Sequence, residues 1–174
     1  MKMFVKEVKI PEGVEVSING EIKVVGPKGE LRKKFELGEI KIEKVENKVR
    51  VFSESERRKV KAMVGTIAAH IRNMIEGVRK GYTYKLKVVY SHFPISVKVE
   101  GDKVLIQNFL GERIPRVAKI VGNTQVKVEK DEIIVSGIDI EEVGQTASNI
   151  ELACRIKGRD RKIFQDGIWI VGRE

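Results

Sequence analysis

Apolar and polar residues alternate strictly over residues 14 to 24. Val14, Val16 and Ile18 fall on one side of an extended segment, Asn19-Gly20 interrupts it, and Ile22 and Val24 resume the alternation. A period of two places these side chains on one face of two strands, and Asn-Gly between them is the strongest short hairpin signal because both residues accept positive φ. The arrangement returns at residues 95 to 106 as Ile95, Val97 and Val99, then Gly101-Asp102, then Val104 and Ile106. Each hairpin leads into a similar segment, Gly26-Pro27-Lys28-Gly29-Glu30 in the first case and Asn108-Phe109-Leu110-Gly111-Glu112 in the second. The offset, 82 residues from Gly29 to Gly111, holds through the second strands and these loops. Further strands are predicted at Ile40 to Val45 with Lys48 to Phe52, and at Gln125 to Val128 with Glu132 to Val135.

The period then changes to that of a helix. Val60, Met63, Val64, Ile67, Ile71, Met74 and Ile75 recur at spacings of three and four and form one apolar stripe, with Ser53 and Glu56 as a capping box and Gly77 as a stop. Ile140, Val143, Ala147, Ile150 and Cys154 make a narrower stripe, with Asp139 and Glu142 near its start. The strings Val64-Gly65-Thr66-Ile67-Ala68 and Val143-Gly144-Gln145-Thr146-Ala147 occupy matching places. A sheet with one apolar face is buried by packing on one amphipathic helix, so the chain reads as α+β, a tandem duplication of a small antiparallel sheet packed on one helix. The boundary is expected near Gly77 to Gly81. Residues 1–80 form the first repeat, and residues 81–174 the second, with a basic C-terminal extension.

A length of 174 residues permits one medium domain or two small ones, and the repeat favours two. Hydrophobic residues (41%) furnish the cores and charged residues (34%) make a densely ionic surface, so disorder is not expected for most of the chain. Lys and Arg number 34 against 25 Asp and Glu, a net charge of +9. Such an excess attracts polyanions, because each cation placed near a phosphate releases condensed counterions, and nucleic acid becomes the leading partner. No apolar run reaches the roughly 20 residues that cross a bilayer, and the start, Met1 to Lys6, soon becomes charged, so no membrane partner is expected and the protein should be intracellular.

The residues available for chemistry are few. His70, His92 and Cys154 cannot close a structural zinc site without carboxylates. His70 sits beside the helix stripe, where a packed or solvated imidazole is the ordinary case, and Cys154 falls on a buried face with no base in prospect. Neither glycine-rich segment has the spacing of a phosphate-binding loop. The chain is therefore not expected to be an enzyme, and no cofactor, metal or small-molecule substrate is expected. His92, in the turn Tyr90-Ser91-His92-Phe93-Pro94, has either a local hydrogen-bonding or an RNA-contacting role.

Positive charge gathers in three places. Arg57-Arg58-Lys59 and Lys61 open the first helix, as a binding cluster or as a solvated face. Arg155, Lys157, Arg159, Arg161 and Lys162 place five cations among eight residues, opposed only by Asp160 and flanked by Gly158, Phe164, Gly167 and Trp169. Arginine forks engage phosphates and glycine allows close backbone approach, while the two aromatics serve as anchors in preference to stacking platforms. In the third group, Lys85 and Lys87 alternate with Leu86 and Val88, which predicts a strand with one cationic face.

Several of these segments, in order, resemble a known family, the sixth protein of the large ribosomal subunit in its archaeal form. They are Gly26 to Leu31, Gly81-Tyr82 through Lys85-Leu86, Val89 to Ile95, Asn108 to Glu112, and Ile156-Lys157 through Arg161-Lys162-Ile163-Phe164-Gln165-Asp166-Gly167. Trp169 departs slightly, standing where tyrosine is more frequent. The resemblance implies a cytoplasmic, ribosome-bound protein docked on large-subunit rRNA near the sarcin-ricin loop. Translation factors and the stalk base, with its ribosomal proteins, would lie close by. It implies that the second unit makes the main rRNA contacts, with Ser91, His92, Arg155, Lys157, Arg159, Arg161 and Lys162 as contact candidates, which Lys85 and Lys87 join from the cationic strand. The competing reading is a free-standing two-domain RNA-binding protein. It would call for aromatic pairs on an exposed sheet or a Gly-x-x-Gly clamp, and neither stands out.

Overall fold

The structure, a computed structural model, describes residues 3–173; Met1 and Lys2 of the charged opening segment lie outside them. Two compact units make up the chain, Met1–Gly81 and Tyr82–Glu174. The first contains β1 (Phe4–Lys9), β2 (Glu15–Ile18), β3 (Ile22–Gly26), β4 (Gly29–Lys33), β5 (Lys41–Val45), β6 (Lys48–Ser53) and α1 (Arg58–Arg79). The second repeats the order as β7 (Tyr82–Val89), β8 (Ser96–Glu100), β9 (Lys103–Gln107), β10 (Arg116–Lys119), β11 (Gln125–Glu129), β12 (Glu132–Gly137) and α2 (Ile140–Ala153), then adds β13 (Gly167–Arg173). The pairing repeats too. Sheets β1-β6-β5 and β2-β3-β4 of the first unit correspond to β7-β12-β11 and β8-β9-β10 of the second, where β13 lies on the free side of β7.

Each unit thus holds two small antiparallel sheets where the alternation alone predicts one. The chain leaves β1 through Pro11 and Gly13, the latter at φ 85°, and leaves β7 through the turn that ends at Pro94. Proline cannot donate to a ladder, so pairing is interrupted there, and the strands on either side belong to different sheets. Both hairpins form. The second turns through Gly101-Asp102 between the paired Glu100 and Lys103, with Gly101 at φ 60°. The first is one residue wider than a two-residue turn, with Ile18 opposite Ile22, and only Gly20 of its Asn-Gly pair takes positive φ, 77°.

The helix stripe packs as its period predicts, except at the ends. Val64, Ile67, Ile71 and Val78 are fully buried, whereas Met63 is 42% exposed. Ser53 does not cap α1. It ends β6, and its hydroxyl donates to the Glu39 carbonyl (3.1 Å) and accepts from Ser55 N–H (3.2 Å), which leaves Arg57 at the N-cap with no side-chain cap. Gly77 is not the stop either, because a helix ending there would lose the burial of Val78. The helix closes at Gly81 (φ 79°), whose N–H donates to the Gly77 carbonyl at 2.9 Å. In α2, Asp139 does cap, accepting from Glu141 N–H at 2.9 Å, and Glu141 and Glu142 favour the positive end of the helix dipole.

Gly26 shows why the first repeated loop begins with glycine. A Cβ there would lie 2.8 Å from both Cγ2 and the carbonyl oxygen of Val78, and that carbonyl also accepts from Lys28 N–H at 2.8 Å. The close approach joins β3 and its loop to the end of α1. Gly65, inside α1, has nothing within 4 Å of a built Cβ. We expect Gly26→Ala to destabilise the first unit by about 1–3 kcal/mol through overpacking, and Gly65→Ala to stabilise it by up to about 1 kcal/mol. Denaturant unfolding of each variant checks both signs.

Candidate nucleic-acid interface

The candidate residues are held by a buried carboxylate. Asp166, 1% exposed, lies just before β13 and faces the turn that follows β7. Its Oδ1 accepts from the Ser91 hydroxyl (3.1 Å) and meets His92 Nδ1 at 3.0 Å, while its Oδ2 accepts from the N–H groups of Ser91 and His92, both at 3.4 Å. Burial works to raise its pKa, but the hydrogen bonds from His92 and Ser91 prevail and hold it below the ordinary carboxylate value. Ser91, His92 and Asp166 do not form a catalytic relay. The serine hydroxyl (3.2 Å) and the carboxylate meet the same ring nitrogen, whereas a relay sets nucleophile and carboxylate on opposite nitrogens.

The imidazole continues the contact into the basic segment. His92 stacks on Phe164 with ring centroids 4.5 Å apart at 25°, and the Arg159 guanidinium lies 4.9 Å from the centroid of the same ring. Phe164 is therefore an anchor, as expected. Asp160, which merely interrupts the cations in the sequence, folds them: its carboxylate accepts from Lys162 N–H (2.9 Å), and its carbonyl accepts from Ile163 N–H (3.1 Å) and Phe164 N–H (2.8 Å). Arg155, Lys157, Arg159, Arg161 and Lys162 are all exposed along this turn-rich path.

At its start the segment is clipped by Arg116. One guanidinium nitrogen donates to the carbonyls of Ala153 (3.0 Å) and Arg155 (2.6 Å), and the other two donate to Glu112 at 3.0 and 2.8 Å. The guanidinium also sits 4.4 Å from the centroid of buried Phe109. Arg116 thus supplies cationic capping to the C-terminal end of α2, where the helix dipole favours it. The hydrogen bond between them lowers the pKa of Glu112 and raises that of Arg116. Lys85 and Lys87 occupy the exposed face of β7, with Trp169 of β13 opposite Lys87 and Gly172 opposite Lys85. Trp169, expected to anchor, is 46% exposed on that face. Lys87 therefore adjoins the tail, and Lys85 lies further along the strand.

The ribosomal protein L6 family model matches residues 10–81 and 93–167, one block in each repeat. The chain belongs to the ribosomal protein L6 family. Curated relatives agree over nearly their whole length. The large ribosomal subunit protein uL6 of Archaeoglobus fulgidus is 52% identical over 94% of this chain and 87% of its own. Those of Methanobrevibacter smithii and Aeropyrum pernix are each 52% identical, over 97% and 98% of this chain and 96% and 94% of theirs.

In this L6-family chain the second repeated loop has a physical account. Asn108, at φ 61°, donates from its side chain to the Pro94 carbonyl (2.9 Å); Phe109 is buried; Gly111 leaves room for Phe93, whose ring would be 3.2 Å from a built Cβ; and Glu112 holds Arg116. Neither periodicity nor charge clustering in the sequence marks Asp166, a lone carboxylate, or Arg116, a single arginine. His70 is packed, 3.3 Å from Lys33 Nζ and beside Phe35.

Asp166→Ala should cost about 2–3 kcal/mol, since a charged acceptor is lost and donors are left unpaired. Because the folded pKa of Asp166 is depressed, its stabilising effect is full above the unfolded value of about 3.9 and fades as pH falls through the lower folded value. The difference in melting temperature between wild type and Asp166→Asn should accordingly close as pH falls through the acid range in which Asp166 takes up its proton. Cys154 gives a second test: burial pushes its thiol up to about 12 despite the nearby Arg116 guanidinium. We expect no reaction with Ellman's reagent at about pH 8 until guanidinium unfolds the chain, because the thiolate is the reactive form.

Proposed function

We propose that this chain is a cytoplasmic structural constituent of the large ribosomal subunit that binds large-subunit rRNA chiefly through its second repeat. The site would be near the sarcin-ricin loop, beside the factor-binding region and the proteins of the stalk base. Family membership supports the ribosomal assignment, and the resemblance of the segments from Val89 to Ile95 and Ile156 to Gly167 supports the location. The single observation that carries the choice of surface is the basic segment itself, which presents five exposed cations on a backbone pinned by Asp166 and Arg116. Folded rRNA offers fixed phosphates and splayed bases, and a charged surface of set shape suits that target better than a helix suited to a readable groove. The candidate contacts are Lys85, Lys87, Ser91, His92, Arg155, Lys157, Arg159, Arg161 and Lys162. Ser91 and His92 also bond to Asp166, which sets the turn that presents them.

Affinity should fall steeply with salt, and Arg159→Ala with Arg161→Ala should make the slope shallower by about one to two. An unchanged slope would mean that these guanidiniums meet no phosphate. Once each fragment is shown to melt cooperatively, residues 82–174 should bind the rRNA nearly as well as the full chain, and residues 1–81 weakly and without selectivity. Equal competition by the first fragment would move the binding surface. Failure of the full chain to co-sediment with large subunits at physiological salt would instead favour a free-standing RNA-binding protein.

A further inference from the structure

Beside the basic segment, between the C-terminal end of α2, the end of β7 and the start of β13, lies a groove of about 640 Å³. That volume is within the roughly 300–1,000 Å³ of small-ligand sites. Val89, Leu152, Phe164 and Trp169 give it apolar walls, and Arg155 and Arg161 stand on the same lining. Three of those apolar side chains are more exposed than core packing would leave them: Val89 37%, Leu152 56% and Trp169 46%. Among the described residues neither arginine has a carboxylate partner; Glu151, also on the lining, pairs with neither. Gln165 adds a polar amide, whose Nε2 donates to the Lys162 carbonyl at 3.3 Å.

We propose that this groove takes one unstacked nucleotide of the bound RNA, its base against Trp169 and the neighbouring apolar wall, and its flanking phosphates at Arg155 and Arg161. Aromatic faces with adjacent guanidiniums are how proteins hold bases that have left the stack, and Gln165 offers hydrogen bonding to a base edge. An apolar side chain from a protein partner would satisfy the walls and leave both guanidiniums uncompensated. A nucleotide satisfies both. The site is also pre-shaped, which lowers the ordering cost of binding. Arg116 fixes the backbone at Arg155, and the stack of His92 on Phe164 fixes the opposite wall. The inference rests on the rRNA-binding reading above and refines it.

The chain has one tryptophan, so its emission reports from this groove alone. The full chain is titrated with a transcript of large-subunit rRNA, following Trp169 fluorescence and, separately, affinity by filter retention. Saturation should quench the emission strongly, and 254 nm irradiation should link the peptide carrying Trp169 or Phe164 to one nucleotide. Trp169→Ala and Leu152→Gln, both at exposed positions, should each weaken binding about tenfold, the size of effect that loss of one base–aromatic stack brings. Val171→Gln, 62% exposed and off the groove, should stay within about twofold. Tight, salt-sensitive binding with unchanged emission and both groove variants at wild-type affinity would overturn the groove and leave the rRNA reading intact. Absence of any binding would remove both. Quenching that appears only when large-subunit proteins are added to the rRNA complex would identify a protein side chain as the occupant and refute the nucleotide.

Discussion

The carboxylate of Asp166 is buried to 1% exposure, and a buried charge is tolerated only where hydrogen bonds replace the water it has lost. Here the replacements come from two consecutive residues, Ser91 and His92, through both their backbone N–H groups and their side chains. Four contacts from two consecutive residues to one carboxylate tie the turn to Asp166. The turn after β7, the approach to β13 and, through the stack of His92 on Phe164, the basic segment are consequently held as one assembly. Without this clamp, the residues between α2 and β13 would be a cation-rich stretch with no ladder and little core to restrain them.

The two repeats share a plan and diverge around the basic segment of the second. Both run through six strands and one helix with the same pairings. Three changes set the second apart. A longer loop at Asn108 to Pro115 carries Glu112 and precedes Arg116, a clip joins Arg116 to the end of α2, and β13 closes the side of β7 that, among the described residues, its counterpart β1 leaves unpaired. Each change adds support to the segment from Arg155 to Lys162. In the first unit the cations Arg57 to Lys61 stand at the start of α1, against the helix dipole and with no comparable framework.

Much of this was legible in the sequence wherever burial writes a period. Strands at Val14 to Val24 and Ile95 to Ile106, and the stripe from Val64 to Ile75, are read from spacing alone because one face of each must leave water. What escaped depends on contacts between residues distant in the chain. β13 pairs with β7 across some eighty residues, as Gly167 opposite Val89 shows, and its alternation is blurred by the irregularity between Ile170 and Gly172. Ser53 and Glu56 matched a capping box, but β6 claimed Ser53 first. Gly77 has the look of a stop, yet burial of Val78 carries the helix to Arg79, and Gly81 closes it. At the candidate site the cations and the Ser91-His92 turn were visible. The acid that organises them was not, because nothing in sequence separates Asp166 from a solvated aspartate.

If Asp166 and Arg116 fix the basic segment, that segment is ordered before any RNA arrives. Backbone ¹⁵N relaxation on the free protein measures this directly. Order parameters for residues 155 to 166 near the roughly 0.85 of rigid backbone, comparable with those of the flanking α2 and β13, are the expected result. Values below about 0.6 across the segment, with α2 and β13 rigid, would show a tail that takes its shape from the RNA and would contradict the role given to the buried carboxylate.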